Sequence, residues 1–273
     1  MKLGYIDYLN CYPFYYHMFE KSPLPFVRLH PGYPSLLNRM TTSGELDMSP
    51  ISAATCAEIS RDIHVLPNVC LSSVGYVKSV ILVSKHPIEA LTGKTIGITT
   101  ASHTSVVLLK ILLQRYYDLD PIYTPTPPLP SLADLDAALL IGNEAMIYEP
   151  GPGEHVYDLG EMWMTKTGYP VVFAVFVVRK EAVNRWANEI REVIVSYDRS
   201  LECLASEKER LIEYAARKYP DIPYSIEAYF NLLQFRFTPT LKEALHFYHD
   251  QAIRMNLITP MDGLTFLDMD KLC

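Results

Sequence analysis

The chain has 273 residues, 49% of them hydrophobic and 20% charged, and a net charge of −7. That length is where a single hydrophobic core begins to split into two lobes, and the composition is globular rather than disordered or fibrous. The acidic balance, with no basic patch carrying interleaved aromatics, excludes nucleic acid as the expected partner. The longest apolar run, Pro170–Val178, is far too short to span a bilayer.

Lys2–Ile6 predicts a buried strand. It is not preceded by the charged, apolar, then small-residue pattern of a secretory signal. The five cysteines, Cys11, Cys56, Cys70, Cys203 and Cys273, are odd in number and widely scattered. They suit neither a disulfide framework nor a thiolate zinc site, so a reducing cytoplasm and no metal are expected.

Further short apolar runs at Phe26–Leu29, Val65–Leu71 and Ser79–Ser84 predict strands, with helical patterns between them such as Tyr33–Met40. The alternation points to an α/β protein with a mostly parallel sheet. A second α/β unit opens at residue 93, with a strand at Thr95–Thr99. Val106, Val107, Leu109, Ile111 and Leu113 then give a helix with a broad apolar face. Five prolines between 121 and 130 read as a stiff loop before the strand Ala137–Ile141.

Pro170–Arg179 reads as a strand buried on both faces. Beyond it the pattern is entirely helical, including Ile226–Phe235 and Thr240–Met255. The expected architecture is two α/β lobes joined by crossings near 84–88 and 174–179. One lobe takes residues 1–85 and 178–273, the other 86–177, and the helical tail packs on the first. A small-ligand cleft is expected between them.

Four polar elbows share the order strand, small or hydroxylated residues, helix: "YLNCYP", "SPISAAT", "TTASHTS" and "IGNEA". Helix N-termini offer free amides and partial positive charge to carboxylate or phosphate. Asn10, Ser52, Ser102, Thr104, Ser105 and Asn143 could each add a donor there; taken singly each reads first as an N-cap, and it is the four elbows together that point to a ligand. Ser79, after Lys78, either satisfies a backbone group or faces the cleft floor opposite Asn10. Asp7, His17, His103, Glu144 and Glu149 are acid–base candidates, none with a pattern that singles it out. The set is rich in neutral donors and poor in proton acceptors. "GPGEH" at 151–155 reads as a turn rather than a phosphate loop. His246 and His249, with no carboxylate triad, read as surface or interface histidines.

Taken in order, "YLN" with its proline, "GELDMSPIS", "SVILVSKHPIEALTGKTIGITTASHTSVVLLKILL", "AALLIGNEA" and "VYDLGEMWMTKTGYPVVFAVFVVR" resemble the chorismate dehydratase family of the futalosine route to menaquinone. The resemblance implies a periplasmic-binding-protein type II fold and loss of water from chorismate, with no metal or organic cofactor. Asn10 and Ser79 match the family's active-site asparagine and serine. Ser102, Thr104 and Ser105 match its hydroxyl-rich segment, and Ser52, His103, Gly142 and Asn143 fall in the same elbows. His103 stands where the family often has a small residue, and Asp7 where asparagine or a small polar residue is common. The sister family, 1,4-dihydroxy-6-naphthoate synthase, opens with an "SPCPNDTF"-like segment that is absent here. The alternatives are that sister activity and a non-catalytic small-anion binding protein.

Overall fold

β1 (Lys2–Ile6) is buried from Leu3 onward and pairs in parallel with β2 (Arg28–Gly32) on one side and β3 (Met48–Ser52) on the other. The chain then runs through β4 (Ile63–Ser73), β5 (Val80–Ser84), β6 (Thr95–Thr99), β7 (Ile122–Thr126), β8 (Ala137–Ile141), β9 (His155–Asp158), β10 (Val171–Arg179) and β11 (Leu233–Arg236). Two sheets result, in the orders β11-β4-β10-β3-β1-β2 and β7-β6-β8-β5-β9. This computed structural model describes residues 1–272; Cys273 lies outside the described residues.

Both sheets are mixed rather than mostly parallel. β10 runs antiparallel to β3 and β4, β11 is antiparallel to β4, and β5 is antiparallel to β8 and β9. The reversals involve β5, β10 and β11, strands by which the chain passes between the sheets or returns from the helical tail. The changes of sheet fall between Ser73 and Val80 and between Asp158 and Val171. The expected crossings near 84–88 and 174–179 do not coincide with them. β5 and most of β10 are apolar and buried, so their hydropathy marks them as central strands without saying in which sheet. Each fully buried valine or phenylalanine of β10 stabilises the fold by roughly 1.5–3 kcal/mol.

Two other expectations are corrected. The proline-rich stretch holds β7, an edge strand that tolerates Pro125 because only one of its sides is paired. The tail is not wholly helical, since the expected helix Ile226–Phe235 stops at Leu232 and its end becomes β11. Leu233 and Phe235 are buried while Gln234 and Arg236 are exposed, a period of two that wins over the preceding helical pattern.

The last long helix, Pro239–Arg254, packs on β10 and also on helices that follow strands of the second sheet, not on the first lobe alone. Phe247 stacks on Tyr169, and Trp163 meets Phe247 and Tyr248 edge-on. The Tyr248 hydroxyl donates to Thr104 O, and His249 Nε2 bonds Ala53 O at 2.8 Å. Among the described residues no helix is long and apolar enough to cross a membrane.

Candidate functional site

All four elbows reach one narrow cleft between the sheets. Tyr8 and Asn10 come from the turn after β1, Ser52 from the end of β3, Ser102 and Ser105 from the turn after β6 and the first turn of the helix Thr104–Lys110, and Gly142 from the start of the helix Gly142–Ile147 after β8. Ser79 enters from the crossing segment just before β5. Ile6, Leu71, Val77, Phe173 and Leu233 are among the apolar residues that wall the remainder. No Asp, Glu, His, Lys or Arg among the described residues lines it.

Contacts across the cleft hold it nearly shut. Leu9 N donates to Asn143 Oδ1 at 3.0 Å, and Ser35 N to Ala101 O at 3.0 Å. Gly142 has φ 59°, and a Cβ there would lie 2.6 Å from the Tyr8 ring. Glycine is therefore needed twice over, for the left-handed turn and for the approach of Tyr8.

The crossing segment that presents Ser79 is pinned by Asp158. The buried Asp158 carboxylate accepts from Val77 N at 3.1 Å, Lys78 N at 2.7 Å and Glu161 N at 3.0 Å. Burial raises its pKa, and these backbone donors oppose the rise without cancelling it. They also hold Lys78 at φ 68°, a left-handed conformation that an L-residue adopts at a cost of about 1–2 kcal/mol. Next to Asp158, Gly160 lets Gly75 O approach to 2.3 Å from where a Cβ would stand. Gly142 N then donates to Ser79 O at 2.7 Å.

The donors differ in what already holds them. Ser52 Oγ accepts from Asn38 Nδ2 at 3.0 Å, and Asn38 Oδ1 accepts from Ser52 N at 2.9 Å. Ser79 Oγ accepts from the Tyr229 hydroxyl at 2.7 Å. Ser102 Oγ donates to Ser105 Oγ at 3.1 Å and accepts from Ser105 N, so here the capping role and the lining role coexist. Asn10 Oδ1 is buried and has no hydrogen-bond partner among the described residues.

A model of the menaquinone biosynthesis family matches residues 1–253. The chain belongs to that family. Among curated relatives, it is 31% identical to a chorismate dehydratase of Thermus thermophilus over 66% of this chain and 70% of that one. It is also 24% identical to a 1,4-dihydroxy-6-naphtoate synthase of the same organism, over 59% of this chain and 58% of the relative. Among solved structures, a protein of Archaeoglobus fulgidus superposes with a TM-score of 0.74 at 20% identity, covering 94% of this chain and 98% of that one. The periplasmic aliphatic sulphonate binding protein of Escherichia coli gives 0.64 at 15% identity, covering 98% and 93%. The fold is periplasmic-binding-protein-like.

Of the site residues expected from sequence, this menaquinone biosynthesis family member brings Asn10, Ser52, Ser79, Ser102, Ser105 and Gly142 together in the cleft. Three others stand outside its lining. Thr104 is buried and structural, donating to Phe173 O at 2.9 Å and accepting from Ala54 N at 3.3 Å. His103 faces an outer depression, bonded to Thr55 Oγ1 at 3.0 Å with Glu58 at 3.7 Å. Burial lowers its pKa, and Glu58 opposes the change. Asn143 serves as the acceptor for Leu9 N and borders an outer groove.

The acid–base candidates are all accounted for elsewhere. Burial would raise the pKa of Asp7, but the Tyr219 hydroxyl at 2.8 Å and Lys218 at 3.1 Å pull it below the ordinary value. Glu144 is half-buried and raised by burial, and sits behind Tyr8 in the outer groove. His17 bonds Ser196 Oγ, and Glu149 is exposed. No group of three or more His, Cys, Asp or Glu residues that could hold a metal occurs among the described residues. Tyr8 walls the cleft, whereas Tyr12 is buried and bonds Glu20, a packing role.

Sequence reasoning missed Asn38, Asp158 and Tyr229. Asp158 does carry a local signal: it precedes a helix and has Glu161 three residues on, a helix-start pattern. Nothing local marks Tyr229, which lies on a tail helix 150 residues from the serine it bonds.

Proposed function

We propose that this family member is a chorismate dehydratase, eliminating water from chorismate to give 3-[(1-carboxyvinyl)oxy]benzoate, with no metal or organic cofactor. The observation that carries the reading is the cleft lining. Neutral hydroxyl and amide groups from both sheets face an apolar wall, and among the described residues no carboxylate or histidine stands with them. That suits a hydrophobic ring bearing two carboxylates whose base is not a protein side chain.

The elimination takes the proton from ring C3 and the hydroxyl from C4, and the ring becomes aromatic. As the C3–H bond breaks, the electron pair is conjugated through the ring alkene to the ring carboxylate. Negative charge therefore grows on that carboxylate in the transition state, where fixed donors act most strongly. Each such donor is typically worth about 3–4 kcal/mol. The enolpyruvyl ether is attached at C3 itself, so its own carboxylate folds back to the C3 proton and acts as base. The proton it takes leaves with the C4 hydroxyl as water. Asn10 and Ser79 hold that carboxylate in position, and orientation of this kind contributes roughly 7–11 kcal/mol in intramolecular reactions. An amide at position 10 also offers its unpaired Oδ1 to a donor such as the C4 hydroxyl.

Chorismate incubated with the purified protein, without added metal or cofactor, should yield a product one water lighter that retains the enolpyruvyl group. Chorismate that binds and is recovered unchanged would return the protein to the binding class or to the sister activity. Asp7→Asn and Glu144→Gln should both keep turnover. Loss of turnover in either, with chorismate binding intact, would overturn the substrate-base mechanism.

A further inference from the structure

Tyr229 lies on the helix Ile226–Leu232, which starts at Ser225, whose side chain accepts from Ala228 N. The helix belongs to the tail and contributes nothing else to the hydroxyl cluster at the cleft. Tyr229 is fully buried, and its hydroxyl donates to Ser79 Oγ at 2.7 Å. Asn10, which lines the same cleft, acts on this phenol in the sense of a hydrogen-bond donor, opposing the effect of burial. Burial raises the Tyr229 pKa, so the group keeps its proton throughout the working range.

A phenol has one hydrogen to give. If Tyr229 spends it on Ser79 Oγ, the Asn10 side chain must meet the phenol oxygen as a donor. Ser79 must in turn direct its own hydrogen somewhere other than Tyr229. Ser79 is buried, and the face of it that remains is the cleft. A hydroxyl that already accepts a hydrogen bond is also polarised into a stronger donor.

We propose that Tyr229 is a positioning residue that makes Ser79 an obligate hydrogen-bond donor toward the bound anion. The inference rests on the chorismate reading. Without Tyr229 the Ser79 hydroxyl is free to rotate and to present a lone pair to a carboxylate, which repels it. Tyr229 thus acts through Ser79 and does not itself touch substrate.

The test is a double-mutant cycle on chorismate turnover with wild type, Tyr229→Phe, Ser79→Ala and the double variant, each checked for folding by thermal melting. Tyr229→Phe should lower kcat/KM about tenfold or more in the wild-type background and have almost no effect in the Ser79→Ala background. A purely structural tyrosine would cost the same in both backgrounds, and that result overturns the proposal. So does a Tyr229→Phe variant with unchanged kcat/KM. Should Tyr229→Phe fold poorly, 4-aminophenylalanine at position 229 keeps a donor in place and should retain most of the activity; an inactive but folded 4-aminophenylalanine protein counts against the relay. A wild type that binds chorismate without converting it overturns the dehydratase reading alone. The cycle is then read in the chorismate binding constants from calorimetry, where the same loss of effect in the Ser79→Ala background is expected. A wild type that neither binds nor converts chorismate overturns both.

Discussion

Replacing Asp158 with alanine tests whether the crossing segment, rather than Ser79 alone, builds the cleft floor. The substitution strands the backbone donors of Val77 and Lys78 and removes the cap at Glu161 N. Hydrogen bonds to a charged acceptor are worth roughly 1.5–3 kcal/mol each and a cap about 1 kcal/mol. The burial cost of the carboxylate, expressed in its raised pKa, offsets part of this. The net loss should be about 3–5 kcal/mol in urea unfolding. Lys78 would then be released from its left-handed conformation, moving Ser79. A displacement of about 1 Å at a reacting group can cost on the order of a hundredfold in rate. Asp158→Asn keeps one acceptor oxygen and should lose about half as much stability as the alanine variant. Chorismate turnover at a temperature where both variants remain folded completes the assay. An alanine variant with wild-type stability and turnover would show that the segment is held by something other than Asp158.

If the site binds chorismate as proposed, Asn10→Asp sets a second carboxylate against the substrate's and should lower kcat by at least about a hundredfold, the scale of one lost oxyanion donor with repulsion added; near-normal kcat would remove Asn10 from the proposed carboxylate site. Gly142→Ala adds about 1–2 kcal/mol of left-handed strain and drives a methyl group into the Tyr8 ring. Its melting temperature should fall and its KM for chorismate rise, and an unchanged KM would separate Tyr8 from the substrate. Burial pushes the pKa of His249 down to about 4 from 6.5, with the bond to Ala53 O opposing. The folded state therefore prefers the neutral ring, and the stability this brings, full above pH 6.5, is lost as pH falls toward 4. Between pH 7.5 and 5 the loss should be about 2 kcal/mol. His249→Gln should flatten that part of the urea-derived stability profile, and an unchanged slope would assign it to other groups.

The strands Lys2–Ile6, Thr95–Thr99 and Ala137–Ile141 were legible in the sequence to the residue, because each is a short apolar run ended by a polar turn. The elbows that follow them were legible for the same reason, and the donor-rich character of the cleft was visible in their composition. Local chemistry at a strand–helix junction is written in adjacent residues. What each donor does was not. Thr104, His103 and Asn143 have the same local context as the residues that line the cleft, and only the packed structure turns them to Phe173 O, Thr55 and Leu9 N instead. The expected lobe bounds put β5 with the first lobe and most of β10 with the second, whereas the sheets have them the other way round, since a strand buried on both faces has the same hydropathy in either sheet. The link from Tyr229 to Ser79 and the grip of Asp158 on Val77 and Lys78 join residues 150 and about 80 positions apart. The sequence determined which neutral donors were available at the strand–helix junctions. The tertiary structure decided which of them line the cleft, because a hydrogen-bonding group spent on a neighbour distant in the chain leaves no trace in its local pattern.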